Sequence, residues 1–166
     1  RAALWLSLGQ VSESERLLGS IGIDPASTAQ VDRTARALRR LIAVVRSEPL
    51  KTVVVAPALG SEWLAESYAQ QSERHLEEAL AAARRATQQS PQFGAAWVRL
   101  AELEFGFGHN PEAERALQTA LALSPRHALA HTLQGFQFCV RNDVERAIEA
   151  FKRALALDPG HGNAWL

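Results

Sequence analysis

Small, apolar and aromatic side chains recur at 34-residue intervals through the larger, C-terminal part of the chain. One column of alanines lies at positions 79, 113 and 147, a second at 86, 120 and 154, and a column of prolines at 91, 125 and 159. A fourth column, at the same interval, holds Trp63, Trp97, His131 and Trp165, so one histidine replaces a tryptophan in it. A period of this length, with small, aromatic and proline residues at fixed offsets, predicts stacked helix–turn–helix units.

The columns have a packing explanation. Two antiparallel helices approach closely only where one of them presents a small side chain, so Ala113 and Ala147 should face the first helix of their own unit. The same reasoning places Ala120 and Ala154 against the following unit. A proline cannot continue a preceding helix, so the proline column should end one helix and set the next turn. These boundaries predict helices over 62–73, 75–89, 95–107, 111–123, 128–140 and 143–157.

Two short capping signals support the helix starts. Asn110 before Pro111 resembles a capping residue followed by a proline at the first helical position. Asn142 with Glu145 resembles a capping box, in which two side chains satisfy the first backbone N–H groups of a helix.

Segment 94–127 resembles a tetratricopeptide repeat, and its signature positions hold Trp97, Leu100, Ala101, Ala113, Leu117, Ala120 and Pro125. Segment 128–161 matches next best, although His131 and Gln134 replace the usual Trp and Leu. Segment 60–93 is weaker, because Glu66, Ser67 and Gln70 stand where apolar or small residues are expected. The resemblance implies an all-α fold, a right-handed α-solenoid of antiparallel helix pairs. Residues 162–166 read as the start of a truncated further repeat.

The first 59 residues are less regular. Ser12 with Glu15 resembles a capping box, and residues 1–25 read as the end of a degenerate repeat. Ser27 opens an amphipathic helix that extends to about residue 46, with apolar positions spaced by three or four residues. An irregular segment follows to residue 59, which is either an ordered loop or a short extended stretch. Residues 26–59 are thus predicted to form an amphipathic helix plus an irregular loop.

Composition narrows the possible partners. The 18 basic and 18 acidic residues leave no formal net charge, so nothing in the overall charge favours nucleic acid or anionic lipid. No apolar stretch approaches the roughly 20 residues of a membrane span. One cysteine excludes an internal disulfide and does not distinguish a cytoplasmic from a periplasmic location.

Catalytic and cofactor chemistry is not indicated. His127 and His131 have the spacing of two metal ligands on one helix face, but no neighbouring ligand completes the set, and His131 occupies the Trp column. Cys139 has no nearby histidine in sequence, so we interpret it as a packing or groove-lining thiol. We therefore predict no metal, no cofactor and no enzymatic activity. Four arginines on the helix over 27–46 (Arg33, Arg36, Arg39 and Arg40) are interpreted as a solvated face, with an acidic partner as the alternative.

The resemblance implies a binding surface. In tetratricopeptide proteins the first helix of each unit lines a concave groove. The corresponding positions here are mostly apolar, which favours an apolar or aromatic peptide over the acidic tails bound by chaperone-clamping relatives. The implied groove residues are Leu64, Tyr68, Val98, Glu102, Phe105, Leu129, Thr132, Phe136 and Cys139.

Two functions follow from this interpretation: a protein–protein interaction scaffold, or a regulatory arm of a larger sensor or enzyme whose active domain lies outside this chain. The phrases SEWLAESYAQQS, FGAAWVRLAELEFGFG and GNAWL are similar to those of large bacterial proteins that join a FecR-like sensor domain to tetratricopeptide arrays. The last predicted helix should also expose an apolar face, because only five residues of the next unit are present, and we expect self-association through residues 144–166.

Overall fold

A computed structural model describes residues 11–20, 29–46, 48 and 56–160 of the chain. These residues form eight α-helices and no strand, so the fold is all-α as predicted. The helices are α1 (Val11–Ser20), α2 (Ala29–Val45), α3 (Gly60–Ser72), α4 (Leu76–Gln89), α5 (Gly94–Gly106), α6 (Asn110–Leu123), α7 (Ala128–Val140) and α8 (Val144–Leu157). The predictions for residues 1–8, for the Ser27 helix start and for residues 162–166 lie outside the described residues, as does most of the irregular segment.

The six C-terminal helices repeat the 34-residue period in their bounds. The first helix of each pair starts at 60, 94 and 128, and the second starts at 76, 110 and 144. Every observed end lies within two residues of its prediction. The paired helices pack against each other as α3–α4, α5–α6 and α7–α8. The chain forms two compact units, one ending at Gln89 and the other starting at Ser90.

Two helices have their N-cap one residue away from the predicted capping residue. The N-cap of α8 is Asp143, whose carboxylate accepts a hydrogen bond from the Arg146 backbone N–H at 3.3 Å. Asn142 instead occupies the preceding turn with a left-handed φ of 57°, which asparagine tolerates well. The N-cap of α6 is His109, so Asn110 is already helical. Helix α1 likewise starts at Val11 and includes Ser12.

In the first unit, α1 packs on α2, α2 on α3, and α3 on α4. Leu18, Ala35 and Ile42 form a small buried core between α1 and α2, with Leu17 and Leu38 packed against it.

Ion pairs join α2 to α3. Arg33 forms a bidentate pair with Glu62 (Nε–Oε1 2.9 Å and Nη2–Oε2 2.8 Å), and Arg40 Nη1 lies 2.6 Å from a carboxylate oxygen of Glu66. The solvated-face interpretation was therefore wrong for Arg33 and Arg40. Arg36 and Arg39 are both exposed, as that interpretation predicted, and Arg39 also donates to the Leu18 carbonyl at 2.8 Å. Glu66 departs from the repeat pattern because its partner is an arginine.

Burial by itself raises the pKa of Glu62, but hydrogen bonds from Arg33 and from the backbone N–H groups of Ala58 and Leu59 outweigh it and hold the pKa below 4.5. Glu62 is thus ionised at neutral pH. Its carboxylate also accepts hydrogen bonds from backbone N–H groups just before α3, near a helix end where such donors lack intrahelical partners.

In the second unit, α5 pairs with α6 and α7 with α8, while α6 packs on α7 and α5 lies beside α7. The alanine columns are buried as predicted: Ala113, Ala120 and Ala154 have no exposed surface, and Ala147 is 2% exposed. Gly135 also allows two helices to approach closely, and here even a methyl group would be too large, because a Cβ placed on it would lie 2.4 Å from the Phe151 ring. The close approach of α7 and α8 requires the absence of a side chain there.

Candidate functional site

Two aromatic side chains from neighbouring helices of the second unit form the centre of the candidate site. Phe105 on α5 stacks on Phe136 on α7, with ring centroids 6.5 Å apart and an interplanar angle of 20°. Phe136 also meets Phe151 of α8 edge-on at 5.3 Å. Offset and edge-to-face arrangements of this kind are the favourable geometries for aromatic pairs. The Phe136 ring therefore lies between Phe105 of α5 and Phe151 of α8.

The surroundings of this aromatic pair are apolar and partly accessible. Phe105, Phe136 and Leu129 are half-buried, while Cys139 is exposed at the end of α7. Val140, the next residue, has 60% of its surface exposed although it is a large hydrophobic residue. We call these five residues the aromatic strip. Exposed apolar surface that is grouped on one face is typical of interaction sites, so the aromatic strip is a candidate.

Other predicted groove residues are buried. Val98 is 2% exposed and Thr132 has no exposed surface; the Thr132 hydroxyl donates to the Ala128 carbonyl of its own helix at 3.2 Å. These two side chains therefore cannot contact a ligand in this conformation. In the first unit, Leu64 on α3 is likewise buried at 7% exposed, and Tyr68 of the same helix is half-buried.

Glu102 is the one charged residue among the predicted groove positions. Its carboxylate accepts a hydrogen bond from Nη1 of Arg99 at 2.8 Å; the Arg99 side chain is fully buried and that of Glu102 is 32% exposed. Sequence reasoning missed Arg99, although an arginine among the apolar residues of WVRLAELEF, with a glutamate three positions later, could have revealed it. Because the two charges neutralise each other, the strip carries no net charge at this point.

The histidine that replaces Trp in the third repeat keeps the function of the indole. Trp97 donates its Nε1–H to the Pro91 carbonyl at 2.8 Å, and His131 Nε2 lies 2.8 Å from the Pro125 carbonyl, the equivalent atom one period later. His131 therefore carries its proton on Nε2 and ties the start of α7 to the preceding turn. This supports its interpretation as a packing residue.

The described residues contain no group of three or more His, Cys, Asp or Glu side chains that could hold a metal ion. Within the same ranges, none of the helices is long and apolar enough to cross a membrane. The arrangement on α5 and α7 offers an apolar contact surface and no assembled nucleophile, base or acid.

Comparison with protein families finds the sequence profile of the tetratricopeptide repeat at residues 71–135, and a second profile with the same description at 141–161. No curated protein sequence matches the chain.

Several solved structures share the fold. YrrB, described as a tetratricopeptide protein with an unusual peptide-binding site, is 17% identical with a TM-score of 0.60, over 99% of this chain and 86% of YrrB. MamA is 16% identical, TM-score 0.60, over 94% and 93% of the two chains. The first tetratricopeptide domain of Spaghetti (RPAP3), bound to the HSP90 peptide SRMEEVD, is 18% identical, TM-score 0.59, over 69% of this chain and 90% of that domain. Identities this low show a common fold alone.

Proposed function

We propose that this chain, which contains tetratricopeptide repeats at residues 71–135 and 141–161, is a protein–protein interaction scaffold and not an enzyme. Its partner is a protein or peptide segment with apolar or aromatic side chains, bound along the first helices of the repeats. The observation that carries the proposal is the stacking of Phe105 on Phe136 across two neighbouring first helices, beside the exposed Cys139 and Val140.

Phe136 is preorganised for contact with a partner. Phe136 is fixed by rings on two sides, so an incoming side chain that packs on it does not have to order a free aromatic residue first. Rigid aromatic residues with few side-chain torsions are also the commonest energetic anchors of protein interfaces. With Glu102 neutralised by Arg99, no unpaired charge at that position opposes an apolar partner. Val98 and Thr132 belong to the same proposed surface of the second unit as buried residues. Leu64 and Tyr68 on α3 are proposed as the corresponding positions of the first unit, considered by itself.

The solved relatives support a binding role of this general kind. YrrB is described with a peptide-binding site and the RPAP3 domain with a bound peptide. The RPAP3 ligand, SRMEEVD, is acidic, whereas the residues of the aromatic strip are apolar, so the proposed partner differs in chemistry from that ligand.

A second candidate function is a regulatory or assembly arm of a larger bacterial sensor or enzyme, such as a protein with a FecR-like domain. The sequence phrases that resemble such proteins support it. Under this alternative the aromatic strip binds another segment of the same polypeptide, and the physical chemistry of the contact is unchanged.

A further proposed contact is self-association through 144–166. On α8, Val144 is 59% and Ile148 47% exposed, and their spacing of four residues places them on one face of the helix, where neighbouring exposed apolar side chains favour association. A second copy of the chain is the occupant we propose for this face.

The aromatic strip is testable with peptides selected by display on the purified chain. Cys139→Arg places a long charged side chain at an exposed strip position, and Ala156→Arg places the same side chain at an exposed position of α8. We expect the first variant to weaken peptide binding by about tenfold or more and the matched control to leave it unchanged. Equal affinity of both variants for the selected peptides would rule out the strip as the binding site.

A further inference from the structure

A buried arginine on α5 breaks the repeat pattern. Arg99 stands in a column that holds Ala65 one period earlier and Leu133 one period later, and both of those apolar side chains are buried. Arg99 is itself fully buried. Withdrawing a guanidinium group from water is strongly unfavourable unless its charge is paired and hydrogen-bonded. The group that Arg99 binds should therefore explain why the column holds an arginine here.

Arg99 holds the carboxylate of Glu102, three residues later on the same helix. Its Nη1 donates a hydrogen bond to Oε2 of Glu102 at 2.8 Å, and the Glu102 side chain stays 32% exposed. An ionised carboxylate has two oxygens and can accept several hydrogen bonds. Glu102 is thus an acceptor that a buried residue fixes in place and that a bound molecule can still reach.

Glu102 lies on the same face of its repeat as Phe136. Helices α5 and α7 begin and end one period apart, Phe136 is the residue one period after Glu102, and both side chains are half-buried. Along α5, Glu102 precedes Phe105 by three residues, a spacing that places Cβ atoms about 5–6 Å apart. The acceptor is therefore a neighbour of the ring stack that Phe105 forms with Phe136.

We propose that the aromatic strip and Glu102 together bind an aromatic side chain that carries a hydrogen-bond donor, tryptophan or tyrosine, of a protein partner. This inference rests on the proposed function and names the residue type that the groove recognises. The indole or phenol ring packs on Phe105 and Phe136, and its N–H or O–H donates to the carboxylate of Glu102. These two side chains join an apolar body to a polar tip that needs an acceptor when it is buried.

The same arrangement disfavours the other classes of side chain. Phenylalanine or leucine would pack on the rings but would displace water from Glu102 without offering a donor, which is unfavourable. Lysine or arginine would meet the like charge of Arg99 and would lose hydration beside the apolar strip. Aspartate and glutamate are acceptors only when ionised and would be repelled by Glu102. A neutral donor on an aromatic ring satisfies both the rings and the carboxylate.

The test uses the complete chain and a peptide selected by display on it. Loss of affinity in Cys139→Arg first establishes that the peptide binds the aromatic strip. The aromatic position of the peptide is then occupied in turn by tryptophan, 3-benzothienylalanine, phenylalanine or lysine. Benzothienylalanine has the shape of tryptophan with sulfur in place of the N–H, so this pair isolates the donated hydrogen bond without any change to the protein.

We expect the selected peptides to carry tryptophan or tyrosine, and the tryptophan peptide to bind about tenfold more tightly than its benzothienylalanine counterpart. The phenylalanine and lysine peptides should also bind more weakly than the tryptophan peptide. Glu102→Leu should abolish the difference between tryptophan and benzothienylalanine. The matched control Glu145→Leu, at an exposed position of α8, should preserve it. Because the two peptides are compared within each variant, a general loss of stability does not imitate this result.

Three outcomes would overturn the inference and leave the interaction scaffold intact. These are equal affinity of the tryptophan and benzothienylalanine peptides for the wild-type chain, a difference that persists in Glu102→Leu, and strip-binding peptides that lack tryptophan and tyrosine. Peptide binding that is insensitive to Cys139→Arg would overturn both the inference and the proposed groove.

Arg99 acts through Glu102 as a positioning residue, and the lysine peptide reports on this role. Arg99→Leu introduces the residue that Leu133 supplies one period later, so the variant should keep the fold. Without the guanidinium, the charge of Glu102 is uncompensated, and the lysine peptide should bind about threefold or more tightly than it binds the wild-type chain. An unchanged affinity for lysine would contradict the neutralising role of Arg99 and the exclusion of basic side chains.

Discussion

The contact between Gly135 and Phe151 offers a sharp test of how the repeat helices pack. In Gly135→Ala the new Cβ would lie 2.4 Å from Cε1 and 2.7 Å from Cδ1 and Cζ of the Phe151 ring, far inside van der Waals contact. Alanine in a helix interior is favoured over glycine by about 0.5–1 kcal/mol, whereas overpacking a core costs about 1–3 kcal/mol. We therefore expect a net loss of about 1–2 kcal/mol in the free energy of unfolding.

Gly106 provides the matched control, because it is also helical and a Cβ placed on it meets no atom within 4 Å. Gly106→Ala should leave stability unchanged or raise it slightly. Urea denaturation followed by circular dichroism would measure both variants, and the loss in Gly135→Ala corresponds to a fall of about 2–4 °C in melting temperature per kcal/mol.

A double-mutant cycle separates the clash from other effects of the substitution. Phe151→Leu removes the ring, so Gly135→Ala made in that background should cost little or should stabilise the protein through its helix propensity. If Gly135→Ala stabilises the wild-type chain as much as Gly106→Ala does, the close approach of α7 and α8 described above is incorrect. Because Phe151 also contacts Phe136, the clash should weaken binding at the aromatic strip as well.

Three further outcomes are expected. Glu62→Gln should be less stable than wild type at neutral pH, because ionised Glu62 is stabilised beside Arg33. The difference in the free energy of unfolding should shrink as the pH falls below 4.5 and vanish once the pH has passed the lowered pKa of Glu62, where the carboxyl group is protonated in the folded protein too. A difference that does not depend on pH in urea titrations would contradict this. His131→Phe should lower the free energy of unfolding by about 0.5–1.5 kcal/mol, because phenylalanine cannot donate a hydrogen bond to the Pro125 carbonyl. His131→Trp should keep that hydrogen bond and its contribution to stability, and chemical denaturation would measure both variants. Ile148→Glu should abolish concentration-dependent association in light scattering, and a wild-type chain that stays monomeric at high concentration would refute the proposed self-contact.

The fold could be predicted from the sequence because its determinants are local and periodic. The 34-residue columns specify where small side chains must lie, and helix ends follow from the prolines and short turns. Capping was predicted less well, since Asp143 and Asn142 are adjacent and both are suitable N-cap residues. Asp143 caps α8 because Asn142 adopts the left-handed conformation that commonly ends a preceding helix, a local signal that the sequence analysis did not use.

Two of the four arginines on α2, Arg33 and Arg40, were misinterpreted for a different reason. A helix with arginines on one side looks solvated unless the glutamates of another helix are known to face it. The sequence held a clue, because Glu66 interrupts the apolar pattern of α3, but the pairing of Arg33 with Glu62 and of Arg40 with Glu66 is a long-range contact. Burial of Val98 and Thr132 could likewise not be inferred from repeat positions alone.

The most direct test of the proposed function uses the one cysteine of the chain as a position marker. Cys139 is exposed within the aromatic strip, so a thiol-reactive benzophenone attached there would crosslink any peptide bound on α5 and α7. The control carries Cys139→Ser with Ala156→Cys, which moves the label to an exposed position of α8. With a display-selected peptide, we expect a light-dependent crosslink from Cys139 that an excess of unlabelled peptide suppresses. We expect no crosslink from position 156. Equal crosslinking from both positions, or none from Cys139 while the peptide binds, would contradict it.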